Sequence, residues 1–515
     1  MTDLHTIGLD IHARKGPEIH PPMRSTAEPC TLVIVGITGD LAHRKLIPAL
    51  YNLERSHLLP DGVRVVGMGR HDVPLESLMY GLKESTAEHS RTQPIDADVW
   101  HKFAQRFDYI ANPGEGSGAF KTLAKLMEEH KEETEGNRMF YFATPPSAFG
   151  TLLKRINAAG LIHHPREEHW TRVILEKPIG HDHDSAVELN ELTADFLDEK
   201  QTYRIDHYLG KETVQNILIF RYANAIFEPL WNRNHIDHVQ IEACETIGTE
   251  GRGVFYDQTG VVRDIVQNHL LQVLAMVTME PPSSFHSESI RDEKVKVFQS
   301  LRQIYPQDVG KDIMHGQYRG YRDNEGVADD SRTPTAVAMR FWIDNWRWQG
   351  VPFYLRAGKR LEQKVTQVSI HFKSIPLCLF GDDEACAQIE PNVLTLRIQP
   401  DEGISLAFNS KVPGDAINVG SVEMDMSYEH AFQKPIHDAY ERLVLDCMRG
   451  DATLFARRDG VEQTWKFIDP LIKTWESAKD PVPQYEQGST GPKEFHDLIE
   501  KDGRRWHHTT TDSST

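Results

Sequence analysis

The sequence predicts an α/β region with a doubly wound parallel sheet, followed by a larger α+β region built on a mostly antiparallel sheet with helices. Short β-rich runs alternate with longer helical patterns in the first half. A glycine-bearing loop joins the first of these strands to the first helix. Separate strand-like runs with turn signals between them fill the second half. A chain of 515 residues is also too long for one ordinary core.

The first-half elements follow the order of a Rossmann-like unit. Its strands are TLVIV (Thr31–Val35), RVVGMG (Arg64–Gly69), MFYFAT (139–144) and TRVILEKP (171–178), with a helix at 41–59. The second-half strands are 238–245, 336–344, 351–359, 367–374 and 393–400, with helices at 261–279 and 438–451. We therefore expect a nucleotide-binding domain at 30–206 and a substrate-binding and dimerisation domain at 207–502. Residues 1–29 and 503–515 are predicted to be flexible extensions.

Composition excludes several classes of partner. The chain has 57 basic and 76 acidic residues, a formal net charge of -19, which argues against nucleic acid or an anionic membrane as the main partner. Five scattered cysteines without a CxxC pair predict neither a disulfide framework nor a zinc site. The apolar runs are too short for a signal sequence or a membrane span. We therefore expect a cytoplasmic protein.

The loop GITGDLAHRK (36–45) follows the first strand directly and leads into a helix. Gly36 permits a tight turn, Gly39 lets a pyrophosphate approach the backbone, and the helix start offers free N–H groups. The spacing is not GxGxxG, because Thr38 and Leu41 take the other glycine positions. A dinucleotide site is predicted, and a glycine-bearing turn of an ordinary α/β domain remains the alternative.

The end of the second strand favours NADP over NAD. Enzymes that use NAD tend to place a carboxylate there for the ribose diol, whereas this chain has Arg70 directly after Gly69. A guanidinium suits a 2′-phosphate, and the Thr38 hydroxyl is a further donor. Asp72 is close enough to keep NAD open, and Arg70 as a plain surface charge is the other alternative.

The stretch RIDHYLGKE (204–212) places an acid, an imidazole, a phenol and an amine close together. If residues 206–211 open a helix, His207 and Lys211 stand at i and i+4, where they suit an anion at the helix start. Tyr208 would add a donor at the rim. A solvated helix start with an Asp206–Lys211 ion pair is the alternative.

His269, in RDIVQNHLLQ, is the candidate base of a dehydrogenase, because neutral imidazole can take a hydroxyl proton as hydride leaves. It needs a carboxylate to hold its tautomer. Asp264, five residues back, lies about 140° away around a regular α-helix. Asp206 is therefore the predicted partner, and Asp264 is left for substrate hydroxyls. A satisfied core histidine is the alternative.

These segments, together with EKP (176–178), GTEGRGxFYDxxGxxRDxxQNHLLQ (248–272) and LRAGK (355–359), resemble the glucose-6-phosphate dehydrogenase family. The similarity runs from about Thr31 to the C-terminal helices. It implies oxidation of glucose 6-phosphate to 6-phosphoglucono-1,5-lactone with reduction of NADP, the first step of the oxidative pentose phosphate pathway, without a metal. It also implies a homodimer or a dimer of dimers joined through the large sheet.

The resemblance implies that His269 is the base, Asp206 its partner, and Lys177 the group between sugar and nicotinamide. It assigns the phosphate to His207, Tyr208 and Lys211. Glu245 and Asp264 would hold sugar hydroxyls, with Lys359 and Lys364 approaching from the second domain. The expected cofactor contacts are Gly36, Thr38, Gly39, Asp40, Leu41, Lys45, Arg70 and Lys177.

Two positions depart from the family pattern, and two rival functions stay open. Ile37 stands where a small residue is usual and is expected to crowd the pyrophosphate, and His43 stands where lysine is common. Another NADP-linked sugar oxidoreductase would share EKP and the glycine loop. A non-catalytic protein that binds NADP or a sugar phosphate would have no use for a poised base.

Overall fold

The computed structural model describes residues 26–112, 114, 118–379, 389–434 and 436–507. Most of the predicted N-terminal extension, 1–25, and residues 508–515 of the predicted tail lie outside the described residues. The rest of that tail packs on the protein. The Trp506 side chain is buried, and its indole N–H donates to the carbonyl oxygen of Phe495.

The N-terminal half forms a seven-stranded sheet in the order β15–β6–β5–β4–β1–β2–β3. Its strands are β1 (Thr31–Val35), β2 (Arg64–Gly69), β3 (Phe107–Ala111), β4 (Arg138–Phe142), β5 (Thr171–Leu175), β6 (Thr202–Ile205) and β15 (Phe455–Ala456). All pairs are parallel except β15 with β6. Every residue of β1 is buried, as the apolar run TLVIV predicts for a central parallel strand. The predicted doubly wound sheet is confirmed.

The connections between these strands are mostly helical. The helices are α1 (Ile47–Arg55), α2 (Leu75–His89), α3 (Ala97–Ala104), α4 (Ala119–Glu129), α5 (Phe149–Ala158) and α6 (His183–Ala194). The predicted helix at 41–59 is divided, because a π-helical turn at Ala42–Leu46 precedes α1. Because β1 to β6 are parallel, each connection carries the chain back to the edge where the next strand begins. The carboxyl ends of these strands, and the loops that follow them, therefore lie together at the opposite edge.

The second half forms a nine-stranded sheet in the order β14–β13–β12–β11–β7–β10–β9–β8–β16. Its strands are β7 (Ile236–Cys244), β8 (Ile313–Tyr318), β9 (Ala336–Trp342), β10 (Pro352–Gly358), β11 (Val365–Phe372), β12 (Val393–Gln399), β13 (Gly403–Lys411), β14 (Val419–Ser427) and β16 (Gln484–Tyr485). Among the described strands of this second sheet, only the pairs β7–β10 and β8–β16 are parallel. The prediction of a mostly antiparallel sheet is confirmed.

The remaining helices pack around this sheet and the junction with the first. They are α7 (Glu212–Tyr222), α8 (Gly253–Val261), α9 (Leu271–Thr278), α10 (Ser287–Gln299), α11 (Tyr428–Phe432), α12 (Ala439–Arg449), α13 (Arg458–Ser477) and α14 (Lys493–Glu500). Between α8 and α9 the chain runs as a π-helix over Val262–Leu270. The predicted helix at 261–279 is therefore only partly α-helical.

Residues 206–211 form turns, so the prediction that they open a helix is wrong. The helix α7 begins at Glu212, and Lys211 is its extended N-cap residue. The Asp206 carboxylate accepts a hydrogen bond from the Tyr208 backbone N–H at 2.9 Å, which closes a local turn that competes with a helix. A Cβ atom at Gly210 would lie 2.9 Å from the carbonyl oxygen of Ala439, so the turn also needs a glycine.

Cys30, Cys244 and Cys447 are buried free thiols. Cys378 is disulfide-bonded, which corrects the expectation that the cysteines form no disulfide. Among the described helices, none combines the length and apolarity that a bilayer crossing requires.

The large sheet has a buried ion pair between its central strands β7 and β10. Arg356 Nε donates to Glu242 Oε1 at 3.0 Å, and the Gln367 side chain donates to Glu242 Oε2 at 2.9 Å. Arg356 and Glu242 are 2% and 1% exposed, respectively. Loss of either charge would leave the other buried without compensation.

We expect Arg356→Met to lower the free energy of unfolding by about 3 to 5 kcal/mol, because it strands the Glu242 carboxylate in the sheet. The matched control is Arg360→Met, which removes a partly exposed pair with Glu250 and is expected to change stability by about 1 kcal/mol or less. Urea unfolding followed by circular dichroism measures both. Equal midpoints for Arg356→Met and the wild type would contradict the expectation.

Candidate active site

The loop after β1 has the shape of a phosphate cradle. Gly36 has a φ of +96°, and a Cβ atom there would lie 2.5 Å from the carbonyl oxygen of Ala143, so only glycine fits. The Gly36 N–H donates to the Met68 carbonyl, and the Gly39 N–H donates to the Gly36 carbonyl at 2.9 Å. This turn leaves the backbone open at the start of the following π-helical turn, which suits a dinucleotide pyrophosphate.

Ile37 does not crowd this cradle. Its side chain is fully buried and faces Gly67 of β2, where an added Cβ would lie 2.6 Å from Ile37 Cδ1. The expectation that Ile37 obstructs the pyrophosphate is therefore wrong, because the side chain points into the sheet packing. Thr38 is exposed beside the loop. An open groove of about 610 Å³ runs along it, lined by Thr38, Gly39, Asp40, His43, Arg44, Ser85, Glu88 and His89.

Arg70 lies exposed directly after β2 and forms no ion pair with any described residue. Asp72 is exposed nearby in the chain. Lys45 lies at the other end of the loop, with its ammonium 3.6 Å from the Asp438 carboxylate. Leu41, which begins the π-helical turn, is half-buried against the core. The glycine loop and Arg70 thus follow the carboxyl ends of β1 and β2, whereas Lys177, the other predicted cofactor contact, follows β5.

The segments near Asp206 and near His269 meet in the structure. His269 Nδ1 lies 2.7 Å from Asp206 Oδ1, and both side chains are almost completely buried. Because the carboxylate accepts from Nδ1–H, the unprotonated nitrogen of a neutral His269 is Nε2. Lys177 Nζ lies 2.9 Å from that Nε2 atom. Asp206, His269 and Lys177 therefore form one hydrogen-bonded chain.

Asp264 lies on the same face as His269, which corrects the α-helical spacing argument. Both residues belong to the π-helix, where hydrogen bonds connect residues five apart. Lys177 Nζ donates to Asp264 Oδ1 at 3.2 Å and lies against His269 at the same time. The wider π-helical turn therefore gathers residues that a regular α-helix would separate by about 140°.

Burial and charge keep this group in a defined protonation state. Burial lowers the pKa of His269, the Asp206 carboxylate opposes that shift, and the Lys177 ammonium adds to it, so the pKa stays below its ordinary value. Burial alone would raise the pKa of Asp206, but the His269 charge and hydrogen bond, with Lys177, hold it below its ordinary value. At neutral pH the pair is an ionised carboxylate and a neutral imidazole.

Aromatic rings enclose the imidazole. The Tyr208 ring stacks on His269 with centroids 4.4 Å apart and planes 13° apart, and the His207 ring lies 4.2 Å from His269. Tyr208 is only 6% exposed, so its expected position at the rim is wrong. The Thr366 side chain of β11 lies beside it, and both residues line the same small cavity. Burial and the neighbouring charges of His269 and Lys177 hold the pKa of His207 well below its ordinary value, so this ring is neutral.

Lys45, Lys211 and Lys364 come from distant parts of the chain, and their charges meet in one region around Lys211. Burial lowers the pKa of Lys211 to about 8; the Glu402 charge opposes this shift, while the Lys364 and Lys45 charges add to it. The Lys211 ammonium donates to the Gln399 side chain and lies 4.7 Å from the centre of the Tyr208 ring. A concentration of positive charge in a chain of net charge -19 indicates an anion site.

Glu245 and Lys359 pair with each other near Tyr208. Both line a small enclosed cavity with Tyr208, Ala243, Tyr256, Val261, Ile265, Gly358 and Thr366. Burial alone would raise the pKa of Asp264. The positive charges of Lys177 and Lys359 outweigh that effect and hold the pKa below its ordinary value. The structure thus separates Lys359, beside the carboxylates, from Lys364, beside Lys211.

Sequence reasoning missed two polar contacts of this site. Gln399 accepts the Lys211 hydrogen bond, and Thr366 contacts both Tyr208 and the Gln399 side chain, at 3.2 Å in the second case. Both residues lie at the paired ends of β11 and β12. Their strands read as ordinary alternating runs, so only the register between the strands reveals them.

We expect Asp206→Asn to lower the pKa of His269 further, because the lost carboxylate stabilises the imidazolium ion. Histidine-selective 13C NMR titration measures this, with the His269 signal assigned by its absence in His269→Asn. His238, whose Nδ1 lies 2.7 Å from its own partner Asp237, is the internal control and should not move. An unchanged or raised pKa of His269 would contradict the role of Asp206.

Comparisons with known proteins match both halves of the chain. The family described as "Glucose-6-phosphate dehydrogenase, NAD binding domain" matches residues 33–216, and "Glucose-6-phosphate dehydrogenase, C-terminal domain" matches residues 218–507. A protein of Chlamydia pneumoniae named glucose-6-phosphate 1-dehydrogenase is 45% identical over 93% of this chain and 96% of its own length. A protein of the same name from Treponema pallidum is 44% identical over 94% and 96%.

Solved structures agree. A glucose-6-phosphate dehydrogenase in complex with its substrate glucose 6-phosphate superposes with a TM-score of 0.86 at 35% identity, covering 95% of this chain and 100% of that chain. The glucose-6-phosphate 1-dehydrogenase of Mycobacterium avium gives a TM-score of 0.80 at 37% identity, covering 93% and 99%. The similarity therefore extends over both sheets and the site between them.

Proposed function

Because this chain belongs to the glucose-6-phosphate dehydrogenase family, we propose that it oxidises C1 of glucose 6-phosphate to the lactone and reduces NADP. The observation that carries the proposal is the junction of Asp206, His269 and Lys177 within one hydrogen-bonded chain. These three side chains lie beside His207, on which the charges of Lys211 and Lys45 also act. The arrangement therefore offers a base, a candidate anion site and a candidate cofactor loop, which are the parts that the reaction requires.

In this proposal His269 removes the proton of the C1 hydroxyl through Nε2. Asp206 fixes the imidazole tautomer and stabilises the imidazolium ion that forms, as a buried carboxylate does for a catalytic histidine. In the structure the Lys177 ammonium contacts Nε2. The substrate hydroxyl must therefore displace this ammonium from Nε2 or bind beside it. NADP, when bound, would accept the hydride that leaves C1.

The substrate phosphate is proposed to bind at Lys211 and Lys364, with His207 as a neutral donor. Burial, together with the charges of Lys364 and Lys45, lowers the pKa of Lys211, and a bound dianion would offset both effects. Glu245, Asp264 and Lys359 are proposed to hold the sugar hydroxyls, since Glu245 and Lys359 line a cavity beside Tyr208 and Asp264 accepts from Lys177 next to His269.

NADP is proposed over NAD because Arg70 stands exposed at the end of β2, where the adenosine ribose is expected. Its guanidinium can contact a 2′-phosphate, and the Thr38 hydroxyl is exposed on the same edge. Gly36, Gly39, Asp40, Leu41 and Lys45 are proposed as the remaining loop contacts.

We also propose a cytoplasmic homodimer or dimer of dimers joined through the large sheet. Val412 and Ile417, in the loop between β13 and β14, expose 44% and 68% of their surface, and Met424 on β14 exposes 39%. Apolar side chains grouped in this way favour burial against a second copy. Sedimentation equilibrium gives the mass, and a concentration-independent monomer would overturn this assignment.

The purified protein should form NADPH from glucose 6-phosphate, followed at 340 nm, and should work less well with NAD or with unphosphorylated glucose. Phosphate contacts at the lysine cluster and a 2′-phosphate contact at Arg70 are the physical reasons. Equal rates with glucose and glucose 6-phosphate would favour another sugar oxidoreductase. Binding of NADP without turnover would favour the non-catalytic alternative.

We expect His269→Asn to reduce kcat by roughly 100- to 10,000-fold with KM largely kept, because the amide cannot accept the proton. The comparison variant is Lys211→Ala, which should mainly raise KM for glucose 6-phosphate through loss of about 1 to 3 kcal/mol of a charged hydrogen bond. Initial-rate kinetics separate the two effects. Normal turnover by folded His269→Asn would remove His269 from this role.

A further inference from the structure

The C-terminal segment, residues 501–507, packs on the large sheet through charged and aromatic contacts. Arg504 pairs with Asp237 of β7, with nitrogen–oxygen distances of 2.8 and 3.0 Å. The Trp506 side chain is buried, and the centre of its ring lies 4.8 Å from Cζ of Arg356 on β10. Because Arg356 belongs to the buried ion pair between β7 and β10, this segment helps to keep that pair out of water.

The Gln240 side chain of β7 pairs with the backbone of this segment. The His507 N–H donates to Gln240 Oε1 at 2.8 Å, and Gln240 Nε2 donates to the Arg505 carbonyl oxygen at 2.9 Å. A backbone N–H can only donate and a carbonyl oxygen can only accept, so these two contacts fix which end of the amide is nitrogen. Gln240 is fully buried, so its amide cannot turn over without breaking both bonds.

This orientation determines the protonation state of His238, two residues earlier on β7. Its Nε2 atom lies 2.9 Å from Gln240 Nε2, which is a donor, so His238 Nε2 must accept and carries no proton. The Nδ1 atom lies 2.7 Å from the Asp237 carboxylate and carries the proton that it donates there. The attached C-terminal segment therefore requires a neutral His238.

Rings and charges from three further elements pack around His238. The His371 ring of β11 stacks on it with centroids 4.1 Å apart, and the Tyr354 ring of β10 lies edge-on at 5.7 Å. His371 in turn contacts the His507 ring, with centroids 5.6 Å apart. Arg504 bonds to the same carboxylate oxygen as His238 Nδ1. A second proton on His238 would thus place a positive charge against another imidazole and near a guanidinium.

The pKa of His238 gives the sign of the pH dependence. Burial lowers this pKa, the hydrogen bond and charge of Asp237 oppose that shift, and the Arg504 charge adds to it, so the pKa lies below its ordinary value of 6.5. The imidazole therefore binds a proton more weakly when the segment is attached than when it is released. Attachment is fully favourable above pH 6.5 and weakens as the pH falls below that value.

We propose that His238 and Gln240 form a proton-sensitive attachment for the C-terminal segment, so that a proton on His238 Nε2 releases residues 501–507 from the large sheet. The added N–H would face an N–H of the Gln240 amide. Turning the amide over would place its oxygen against the Arg505 carbonyl and its nitrogen against the His507 N–H. Release also withdraws Trp506 from the central ion pair of the sheet.

Hydrogen exchange of the full-length protein, followed by mass spectrometry on peptides that contain residues 501–507, measures this release without substrate. Protection is compared from about pH 8 to 5, after correction for the intrinsic pH dependence of exchange. In the wild type, protection should be constant above about pH 7 and should fall by as much as 10-fold per pH unit below about pH 6.5, the limit for one linked proton. Constant protection down to about pH 5 would overturn the proposal.

Two variants assign the effect to this contact. His238→Leu keeps both bonds between Gln240 and the backbone but cannot take a proton, so most of the fall should disappear. Gln240→Glu puts a carboxylate oxygen where the donor stood. Its protection should be lower than that of the wild type at about pH 8 and should rise as the pH falls, because a protonated His238 can then donate to the new carboxylate. A wild-type profile in either folded variant would refute the mechanism.

The matched control is His163→Leu. His163 is also a half-buried histidine with a carboxylate partner, its Nδ1 atom lying 2.9 Å from Glu167, but it precedes β5 of the first sheet and takes no part in the contacts of Gln240. This variant should reproduce the wild-type fall in protection of residues 501–507. Loss of the fall in His163→Leu as well would show a general effect of acid and would count against His238.

Discussion

The hydrogen bond between His269 and Asp206 is the contact on which the site depends. It joins segments 63 residues apart in sequence and holds the end of β6 against the π-helix beneath the large sheet. Without it, the imidazole would be a buried polar ring with an undefined tautomer. With it, Nε2 faces the same space as the Lys177 ammonium, and a neutral base is maintained at the junction of the two sheets.

Two departures from regular secondary structure make this arrangement possible. The turn at 206–211 needs a glycine, and the π-helix gives up regular α-helical bonding around His269. Both departures bring the candidate catalytic side chains together. Charge is distributed in the same way, because an acidic protein gathers Lys45, Lys211 and Lys364 around one half-buried region.

Much of the fold was predictable because the strands are strongly patterned. The apolar run TLVIV and the glycine loop after it were enough to predict the first sheet and the end of its central strand where a cofactor would bind. The contact of Asp206 with His269 was also predicted, because a buried imidazole needs a carboxylate and the segment RIDHYLGKE offered Asp206. The turn at 206–211 was missed because His207 and Lys211 have the i, i+4 spacing of a helix. In the structure the Asp206 carboxylate instead accepts from the Tyr208 backbone N–H and closes a turn. Asp264 was misplaced because π-helical geometry has no local sequence signal. Thr366 and Gln399 emerge only from tertiary packing.

The central claim is that the C1 hydroxyl of glucose 6-phosphate meets His269 Nε2, the atom that Lys177 contacts at 2.9 Å in this structure. A crystal structure of the protein with glucose 6-phosphate measures this directly. The account predicts the C1 oxygen within about 2.6 to 3.2 Å of Nε2, with Asp206 still bonded to Nδ1 and the phosphate at Lys211. A sugar bound with C1 far from His269, or with its phosphate away from the lysines, would contradict it.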